Sequence, residues 1–334
     1  MEVKYIKSAS AQCESRKIII TLLSYNSNID NQPLMDTTFV MKKLVVGLGE
    51  VLWDVFPDGK KLGGAPANFA FYAGQFGNEA VTISAIGTDD LGTETLDTLE
   101  KCHLKCVIPR VPFETGTVQV TLNAQGIPAY EITEGVAWDN IPFTSEMETI
   151  AHRCDAVCWG SLAQRSQTSR SSILRFIDST RDTCLRIFDI NLRGSFYTKE
   201  VIEESLRRCN IFKINDEEFA TIITMFDYGC YQSVEGCCQA LVKDYNLKQF
   251  ILTCGAAGSF VFSADGTFSK LPAQKVEVAD TVGAGDSFTR TFCSALLAGL
   301  PVKDAHQLAG KVSAYVCTQN GAMAQLPQYL LASL

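Results

Sequence analysis

The sequence lacks the features by which several large classes of protein are recognised. No apolar run approaches the roughly 18 residues that a membrane span requires. Basic residues are in deficit, with 29 Lys and Arg against 37 Asp and Glu, whereas proteins that bind nucleic acids usually carry a basic surface. We therefore expect no membrane and no nucleic acid among the partners of this protein.

Histidine is scarce, and the cysteines follow no metal-binding or disulfide spacing. The chain has 3 histidines and 13 cysteines, an odd number, and it contains no C-x-x-C pair. A zinc site or a disulfide framework is therefore not expected. Most of the cysteines lie in apolar stretches, where a free thiol packs as a small hydrophobic group. Because many free thiols are typical of a reducing compartment, we predict that the protein is cytoplasmic.

Two common nucleotide-binding signatures are also missing. No G-x-x-x-x-G-K-[ST] loop occurs in the chain. Gly47 and Gly49 follow an apparent strand, but Leu52 occupies the position of the third glycine of a dinucleotide-binding fingerprint. A dehydrogenase that uses NAD is therefore disfavoured.

Residues 1–40 differ from the rest of the chain. Their charged residues balance, so the net charge of −8 belongs to residues 41–334. Their one apolar patch, residues 18–23, is shorter than the core of a signal peptide, and no small-residue cleavage site follows it. We predict that residues 1–40 form a disordered extension, or one translated from an upstream start, and that residues 41–334 carry the fold. A docked regulatory arm is the alternative.

From residue 41 onward, short apolar runs alternate with segments of helical periodicity. The predicted strands are residues 44–46, 80–86, 156–159, 186–190, 211–214 and 250–254. The predicted helices are residues 65–76, 91–102, 167–180, 199–208, 234–245, 285–298 and 303–318. Such alternation predicts an α/β fold with a mainly parallel sheet and helices on both of its faces.

One segment interrupts this alternation. Residues 117–123 alternate strictly between polar and apolar side chains. A turn-like Ala-Gln-Gly follows, and residues 128–132 are typical of a returning strand. This pattern predicts an antiparallel hairpin with one covered face. The hairpin either extends the edge of a sheet or covers a site as a lid, and the pattern favours neither.

Residues 280–288, D-T-V-G-A-G-D-S-F, carry the clearest signal for phosphate chemistry. Asp280 or Thr281 can cap a helix whose first turn contains three small residues, Gly283, Ala284 and Gly285. Small residues let backbone amides approach an anion, and the helix N-terminus adds partial positive charge. Asp286 lies in the same turn, where the dipole favours its ionised form, as suits a base that deprotonates an attacking hydroxyl. A capped, glycine-rich helix start with an exposed Asp is the alternative.

A second segment, residues 63–68, lies between the first strand and the first long helix. Gly63 and Gly64 allow the backbone to approach a ligand closely. The side chain of Asn68 can donate and accept hydrogen bonds to a polyol. A simple turn at the start of a helix is the alternative.

Together, these two segments resemble the paired signatures of the ribokinase/PfkB family of carbohydrate kinases. The resemblance extends over about residues 42–327, and further segments match in the family's order: residues 86–92, 189–193, 213–218, 253–258 and 321–322. It implies a ribokinase-like three-layer α/β sandwich with a mainly parallel central sheet. It also implies a small β lid, formed by about residues 52–62 and 113–136, within a kinase domain of residues 41–334.

The resemblance implies roles in catalysis and sugar binding. Asp286 matches the base that takes the proton from a sugar hydroxyl as this hydroxyl attacks the γ-phosphate of ATP. An anion hole is implied by the amides of Gly283, Ala284 and Gly285. A sugar pocket is implied by Asp54, Gly63, Gly64 and Asn68.

It also implies a nucleotide site and two cations. The positions that match the ATP site are Arg193, Asn215, Thr253, Gly255 and Gly258. Glu218, which ends the N-x-x-E motif that begins at Asn215, implies Mg²⁺ bound through water. Asp280 resembles part of a monovalent-cation site, for which K⁺ is the candidate ion.

Three residues depart from the family's pattern. Arg290 stands where a small residue is usual, and we expect it on the nucleotide side of its helix, where it crowds the site or adds a cation near the phosphates. Gly310 replaces a frequent asparagine, and Ala324 replaces a common proline. None of the three touches the implied base or anion hole, so activity is expected.

Residues 50–57, 63–70 and 135–139 look most like bacterial fructokinases, so D-fructose is the first expected acceptor. Ribose, 2-keto-3-deoxygluconate or a nucleoside is the alternative acceptor. A non-catalytic sugar- or nucleotide-binding regulator of the same fold is a further alternative. Trp53 and Trp138 either line the sugar pocket or pack in the core. We expect a monomer or a homodimer.

Overall fold

The computed structural model describes residues 42–122, 128–231 and 233–334. The extension predicted for residues 1–40 lies outside the described residues. None of the helices in the described ranges is long and apolar enough to cross a membrane. The strands and helices that follow are those of the described ranges.

The strands are β1 (Leu44–Leu48), β2 (Leu52–Phe56), β3 (Gly59–Gly63), β4 (Glu79–Ile83), β5 (Lys105–Val107), β6 (Thr117–Leu122), β7 (Pro128–Ile132), β8 (Ala156–Trp159), β9 (Leu185–Asp189), β10 (Ile211–Asn215), β11 (Gln249–Thr253), β12 (Ser259–Ser263) and β13 (Phe268–Leu271). The helices are α1 (Ala65–Gln75), α2 (Asp90–Lys101), α3 (Ser145–Ala151), α4 (Gln167–Asp178), α5 (Lys199–Leu206), α6 (Asp216–Met225), α7 (Val234–Asp244), α8 (Ala284–Leu297), α9 (Val302–Val316) and α10 (Gln328–Leu331).

The larger sheet has nine strands in the order β13-β12-β11-β10-β9-β8-β1-β4-β5. Neighbours from β11 to β5 are parallel, whereas β12 and β13 run antiparallel at one edge. The chain extends the sheet from β1 towards β5 and later adds β8 on the other side of β1. Ligands of open parallel sheets bind outside the carboxyl ends of the strands at such a reversal. The fold therefore predicts that a ligand binds at the carboxyl ends of β1 and of β8 to β11.

Side chains alternate between the two faces of this sheet, as strand geometry requires. Leu44 and Val46 join a buried cluster that includes apolar residues of α3 to α7. Val45 joins a second cluster with residues of α1, α2, α8, α9 and α10. The sheet therefore lies between two helical layers, which confirms the predicted three-layer α/β architecture.

A second, four-stranded sheet has the order β3-β2-β6-β7. Strands β2 and β6 are parallel, while β2–β3 and β6–β7 are antiparallel pairs. The four strands come from the two segments in which the lid was predicted. The closure of this sheet over a substrate stays a prediction.

Candidate active site

Helix α8 begins at a glycine that no other residue replaces without strain. Gly283 caps the helix with φ of 79°, in the left-handed region. A Cβ atom on Gly283 would lie 2.6 Å from the carbonyl oxygen of Ala322. The residue that caps the helix therefore packs against the loop around residue 322, close to the carboxyl edge of the large sheet.

The first turn of α8 presents backbone amides in the way a helix N-terminus does. The intrahelical bonds open with Ser287, whose N–H donates to the carbonyl of Gly283 at 2.8 Å. The earlier amides of Gly285 and Asp286 have no carbonyl one turn back and are suited to an anion. Ala284 differs, because its N–H donates to Thr281 at 3.2 Å, so an anion would compete with that bond.

Asp286 is half-buried in this turn, and Asn68 of α1 holds one of its oxygens. The Asn68 Nδ2 donates to Asp286 Oδ2 at 2.8 Å. Burial, and secondly the carboxylate of Asp189, raise the pKa of Asp286 to about 6. The helix dipole was expected to keep this carboxyl ionised, and with a pKa of about 6 most of it is ionised at neutral pH.

Beneath the first turn lies a buried ion pair that the sequence analysis did not assign. Lys213 Nζ donates to Asp189 Oδ1 at 3.0 Å, and Thr289 Oγ1 donates to Asp189 Oδ2 at 2.8 Å. Burial lowers the pKa of Lys213, but the carboxylates of Asp189 and Glu218 outweigh it and raise this pKa. A Cβ on Gly285 would lie 3.2 Å from Lys213 Nζ, so the ammonium group lies directly beside the turn.

Asp189 and Lys213 carried a signal in the sequence. Each is a charged residue within or at the end of an otherwise apolar strand, and both fall inside segments that match the family. Charged residues are almost never fully buried unless they are paired, so two such residues in neighbouring strands indicate an ion pair.

The predicted sugar-binding residues lie where the second sheet meets α1. Gly63 and Asp54 contact each other so closely that a Cβ on Gly63 would lie 2.6 Å from Asp54 Oδ2. Gly64 has φ of 111°, and a Cβ there would lie 2.4 Å from the carbonyl oxygen of Glu50. Burial raises the pKa of Asp54, while Arg193 and Lys61 act in the opposite direction.

Glu50 is a third carboxyl group at this site and was missed. Its side chain is 3% exposed, and its Oε2 has no partner among the described residues. Burial raises the pKa of Glu50 to about 7, and the charge of Asp286 contributes to the rise. Arg193 is exposed, and its positive charge lowers the pKa of Glu50, Asp54 and Asp286, so its guanidinium lies within electrostatic range of all three carboxyls.

On the nucleotide side, Asn215 and Glu218 form a capping box. Asn215 Oδ1 accepts from the Glu218 amide at 2.8 Å, and Glu218 Oε2 accepts from the Asn215 amide at 3.0 Å. Glu218 Oε1 also accepts from the amide of Leu192 at 2.8 Å. The N-x-x-E motif therefore starts α6 and ties it to the loop after β9. Each carboxylate oxygen keeps a second lone pair, which a metal-bound water can use.

Thr253, Gly255 and Gly258 lie together at the end of β11. Thr253 is the last residue of that strand, and its hydroxyl donates to the carbonyl of Ile214 at 3.4 Å. Gly255 and Gly258 have φ of 46° and 106°, and a Cβ on Gly258 would lie 2.0 Å from the carbonyl oxygen of Leu271. Residues 255–257 of this tight turn are exposed.

Both carboxylate oxygens of Asp280 accept backbone amides. Oδ1 accepts from Val282 at 3.0 Å, and Oδ2 accepts from Gly321 at 3.1 Å. Asp280 thus joins the segment before α8 to the loop after α9. Within the described ranges, no cluster of three or more His, Cys, Asp or Glu residues is arranged to hold a metal. Mg²⁺ needs no such cluster when phosphate oxygens and waters supply most of its ligands.

The expectation for Arg290 was wrong. Its side chain is fully buried, and its guanidinium lies 5.2 Å from the centre of the Phe69 ring. Its ionisable neighbours are the thiols of Cys158 and Cys293. The cation is therefore enclosed between α8, α1 and β8, where it neither crowds a nucleotide nor reaches phosphates.

The other two residues that depart from the family's pattern, Gly310 and Ala324, fit their surroundings without strain. Gly310 faces β13, where a Cβ would lie 3.9 Å from Leu271 Cδ1. The Ala324 amide donates to the hydroxyl of Tyr72 at 3.2 Å, a bond that a proline there could not make. Trp138 packs in the core, where it is 0% exposed. Trp53 is 4% exposed, and its indole N–H donates to Thr95 Oγ1 at 2.9 Å.

Comparison with known proteins identifies the family. The family model "pfkB family carbohydrate kinase" matches residues 37–329 of this chain. The chain therefore belongs to the pfkB family of carbohydrate kinases, as its motifs indicated. It is a sugar kinase of that family.

Two relatives have sequences similar to this chain at modest identity. A fructokinase of Salmonella typhimurium is 27% identical over 306 residues, which cover 84% of this chain and 95% of that protein. An ATP-dependent 6-phosphofructokinase of Thermoanaerobacterium thermosaccharolyticum is 26% identical over 275 residues, 80% of this chain and 82% of that protein.

Solved structures agree on the ribokinase-like fold. The sugar kinase PH1459 of Pyrococcus horikoshii matches with a TM-score of 0.75 and 24% identity, over 87% of this chain and 97% of that one. A fructokinase of Vibrio cholerae O395, crystallised with fructose, ADP and calcium, matches with a TM-score of 0.72 and 24% identity, over 88% and 99% of the two chains.

Proposed function

We propose that this protein transfers the γ-phosphoryl group of ATP to a hydroxyl of a free sugar, with D-fructose as the first acceptor. The observation that carries this proposal is the placement of Asp286. Its carboxylate lies in the first turn of α8, beside open backbone amides, and Asn68 of the sugar-side helix holds it at 2.8 Å. A base and an anion site within one helical turn suit attack of a hydroxyl on a phosphoryl group.

In this mechanism Asp286 accepts the hydroxyl proton on its carboxylate. Asn68 donates to Oδ2, which leaves Oδ1 for the acceptor hydroxyl. The amides of the first turn, with Gly283 fixing the turn, donate to the oxygens of the transferred group. Lys213, whose ammonium lies beside Gly285, adds positive charge below that group.

ATP is proposed to lie along Arg193, Asn215, Thr253, Gly255 and Gly258. Mg²⁺, when bound, neutralises charge on the phosphates, and Glu218 is proposed to hold one of its waters. Asp280, which joins the two loops beside α8, is proposed to support a monovalent-cation site. The fit rests on the lone pairs that Glu218 and Asp280 keep beyond their backbone partners.

The acceptor is proposed from residues and relatives. Asp54, Gly63, Gly64 and Asn68 supply a carboxylate, close backbone approach and an amide, which suit a polyol. The Salmonella and Vibrio fructokinases favour fructose. Lys61 and Arg193, whose charges both act on Asp54, favour an acidic acceptor such as 2-keto-3-deoxygluconate as the second candidate.

Two further features are proposed. The four-stranded sheet, which carries Asp54 on β2, acts as a lid that excludes water from the reaction. The cysteines among the described residues are free, which supports a reducing, cytoplasmic location.

The test is turnover of MgATP, coupled to detection of ADP, with a panel of acceptors. The panel contains fructose, ribose, 2-keto-3-deoxygluconate, fructose 6-phosphate and a nucleoside. We expect the highest kcat/KM with fructose. A preference for the acidic sugars would support the second candidate, and binding of sugar without turnover of ATP would indicate a regulator instead of a kinase.

A further inference from the structure

One face of α1 connects the sugar side of the site to the loop behind the start of α8. Asn68 donates to Asp286, and Tyr72 lies one turn further along the helix. The fully buried Tyr72 hydroxyl donates to the carbonyl of Ala322 at 2.9 Å and accepts from the Ala324 amide at 3.2 Å. The hydroxyl thus uses its hydrogen and one of its lone pairs on that loop.

Gln75 repeats this arrangement at the end of the same helix. Its Nε2 donates to the carbonyl of Ala324 at 3.1 Å, and its Oε1 accepts from the Leu326 amide at 2.7 Å. Two side chains of α1 therefore make four hydrogen bonds to residues 322–326. This short stretch is fixed to α1 and not only to its neighbours in the chain.

The same stretch supports the turn that opens α8. A Cβ on Gly283 would lie 2.6 Å from the Ala322 oxygen and 2.8 Å from the Ala322 Cα, so the two backbones touch. On the other side of this loop, the Gly321 amide donates to Asp280 Oδ2 at 3.1 Å. This bond joins the loop to the segment before α8. A shift of Ala322 is therefore transmitted directly to Gly283.

We propose that Tyr72 is a positioning residue of this kinase. Its hydroxyl fixes Ala322, and through this contact the Gly283 turn, so that the first amides of α8 keep the geometry in which they meet the transferred phosphoryl group. The inference rests on the proposed function. Donors that stabilise developing charge act best when they are already in place, so their displacement lowers turnover more than substrate affinity.

A chain-specific feature strengthens the link. Ala324 stands where a proline is common in the family, and its amide gives the Tyr72 hydroxyl a second partner. Burial raises the pKa of Tyr72 to about 12, so the hydroxyl keeps its proton and donates to Ala322 throughout the working range of pH.

The experiment compares Tyr72→Phe with the wild-type enzyme. Tyr72→Phe is expected to lower kcat about tenfold, as a small displacement of catalytic groups does, while the KM for sugar changes less than about twofold. Tyr315→Phe is the matched control, because that exposed hydroxyl donates to the carbonyl of Gln325 in the same loop at 3.2 Å, whereas the Tyr72 hydroxyl donates to Ala322. The control is expected to keep the wild-type kcat.

Ala324→Pro provides a second variant that retains the Tyr72 hydroxyl and its bond to Ala322. It is expected to lower kcat about threefold, which is half of the logarithmic effect of Tyr72→Phe. If Tyr72→Phe does not fold, a wild-type kcat in the folded Ala324→Pro protein overturns the proposal. A wild-type kcat in the folded Tyr72→Phe protein would overturn the proposal. A loss of activity that only follows the loss of folded protein, measured by thermal unfolding, would also overturn it.

A binding measurement separates this proposal from the proposed function. If the wild-type protein phosphorylates no acceptor, the proposed function fails. The affinity for ADP with aluminium fluoride, a mimic of the phosphoryl group in transfer, is then compared with the affinity for ADP alone. Selective weakening of the mimic in Tyr72→Phe supports the positioning role, and equal affinity in both proteins overturns it.

Discussion

Arg290 gives the sharpest prediction for stability, because its buried charge has no counter-ion. Its side chain is fully buried, and its three side-chain nitrogens have no oxygen or nitrogen acceptor among the described residues, where the Cys293 thiol, a weak acceptor, is the hydrogen-bonding group beside them. The Phe69 ring at 5.2 Å compensates by about 2 kcal/mol, the usual scale of a desolvated cation–π contact. The desolvation of a buried ion, in contrast, costs several kcal/mol. Arg290→Met, which removes the charge and fills much of the same volume, is therefore expected to stabilise the protein by about 1–4 kcal/mol.

The assay is urea unfolding followed by fluorescence and by circular dichroism, with kcat measured on the same preparations. The midpoint of Arg290→Met is expected to rise while the slope and kcat stay unchanged. Arg165→Met is the matched control, since the Arg165 guanidinium bonds both oxygens of Asp139 at 2.8 Å. Loss of one partner of that buried pair should destabilise the protein by about 3–5 kcal/mol. A midpoint for Arg290→Met at or below that of the wild type would refute the reasoning.

Three further predictions concern the site. The kcat/KM should fall about tenfold per pH unit below the pKa of Asp286, about 6, because the base must be ionised, and a profile without an acidic limb contradicts this. Asn68→Leu should move that limb to higher pH, since the Asn68 hydrogen bond lowers the pKa of Asp286. Gly63→Ala should raise the KM for sugar at least about tenfold, because its Cβ would lie 2.6 Å from Asp54 Oδ2. Gly74→Ala, on the same helix as Asn68 with open space around it, should leave KM unchanged.

The sequence predicted the regular elements of the large sheet well, because each carries its own periodicity. Helix α1 was expected at residues 65–76 and is observed at Ala65–Gln75. The β12–β13 hairpin was missed, although Asp265 and Gly266 between two alternating runs are a strong local signal. Helix α6 was also missed, because N-x-x-E was interpreted as a metal motif, whereas the same residues form a capping box.

Some parts of the site depend on three-dimensional packing, which the sequence indicates weakly or not at all. Asp189 and Lys213 form a pair only through the register of β9 and β10, in which these two residues lie side by side. Arg290 was expected on the nucleotide side of its helix, whereas it is buried, and this burial depends on how α8 packs on α1. The contact of Tyr72 with Ala322 joins residues 250 positions apart, and no local pattern indicates such a bond.

The central claim is that Asp286 accepts the proton of a sugar hydroxyl during transfer from ATP. The most direct measurement is kcat with saturating MgATP and fructose for the wild type and for Asp286→Asn, at a pH well above the pKa of Asp286. The variant keeps the shape of the side chain and removes its basicity. We predict that kcat falls by at least about 10²-fold while the affinity for ADP is retained. Comparable turnover by the two proteins would contradict the account.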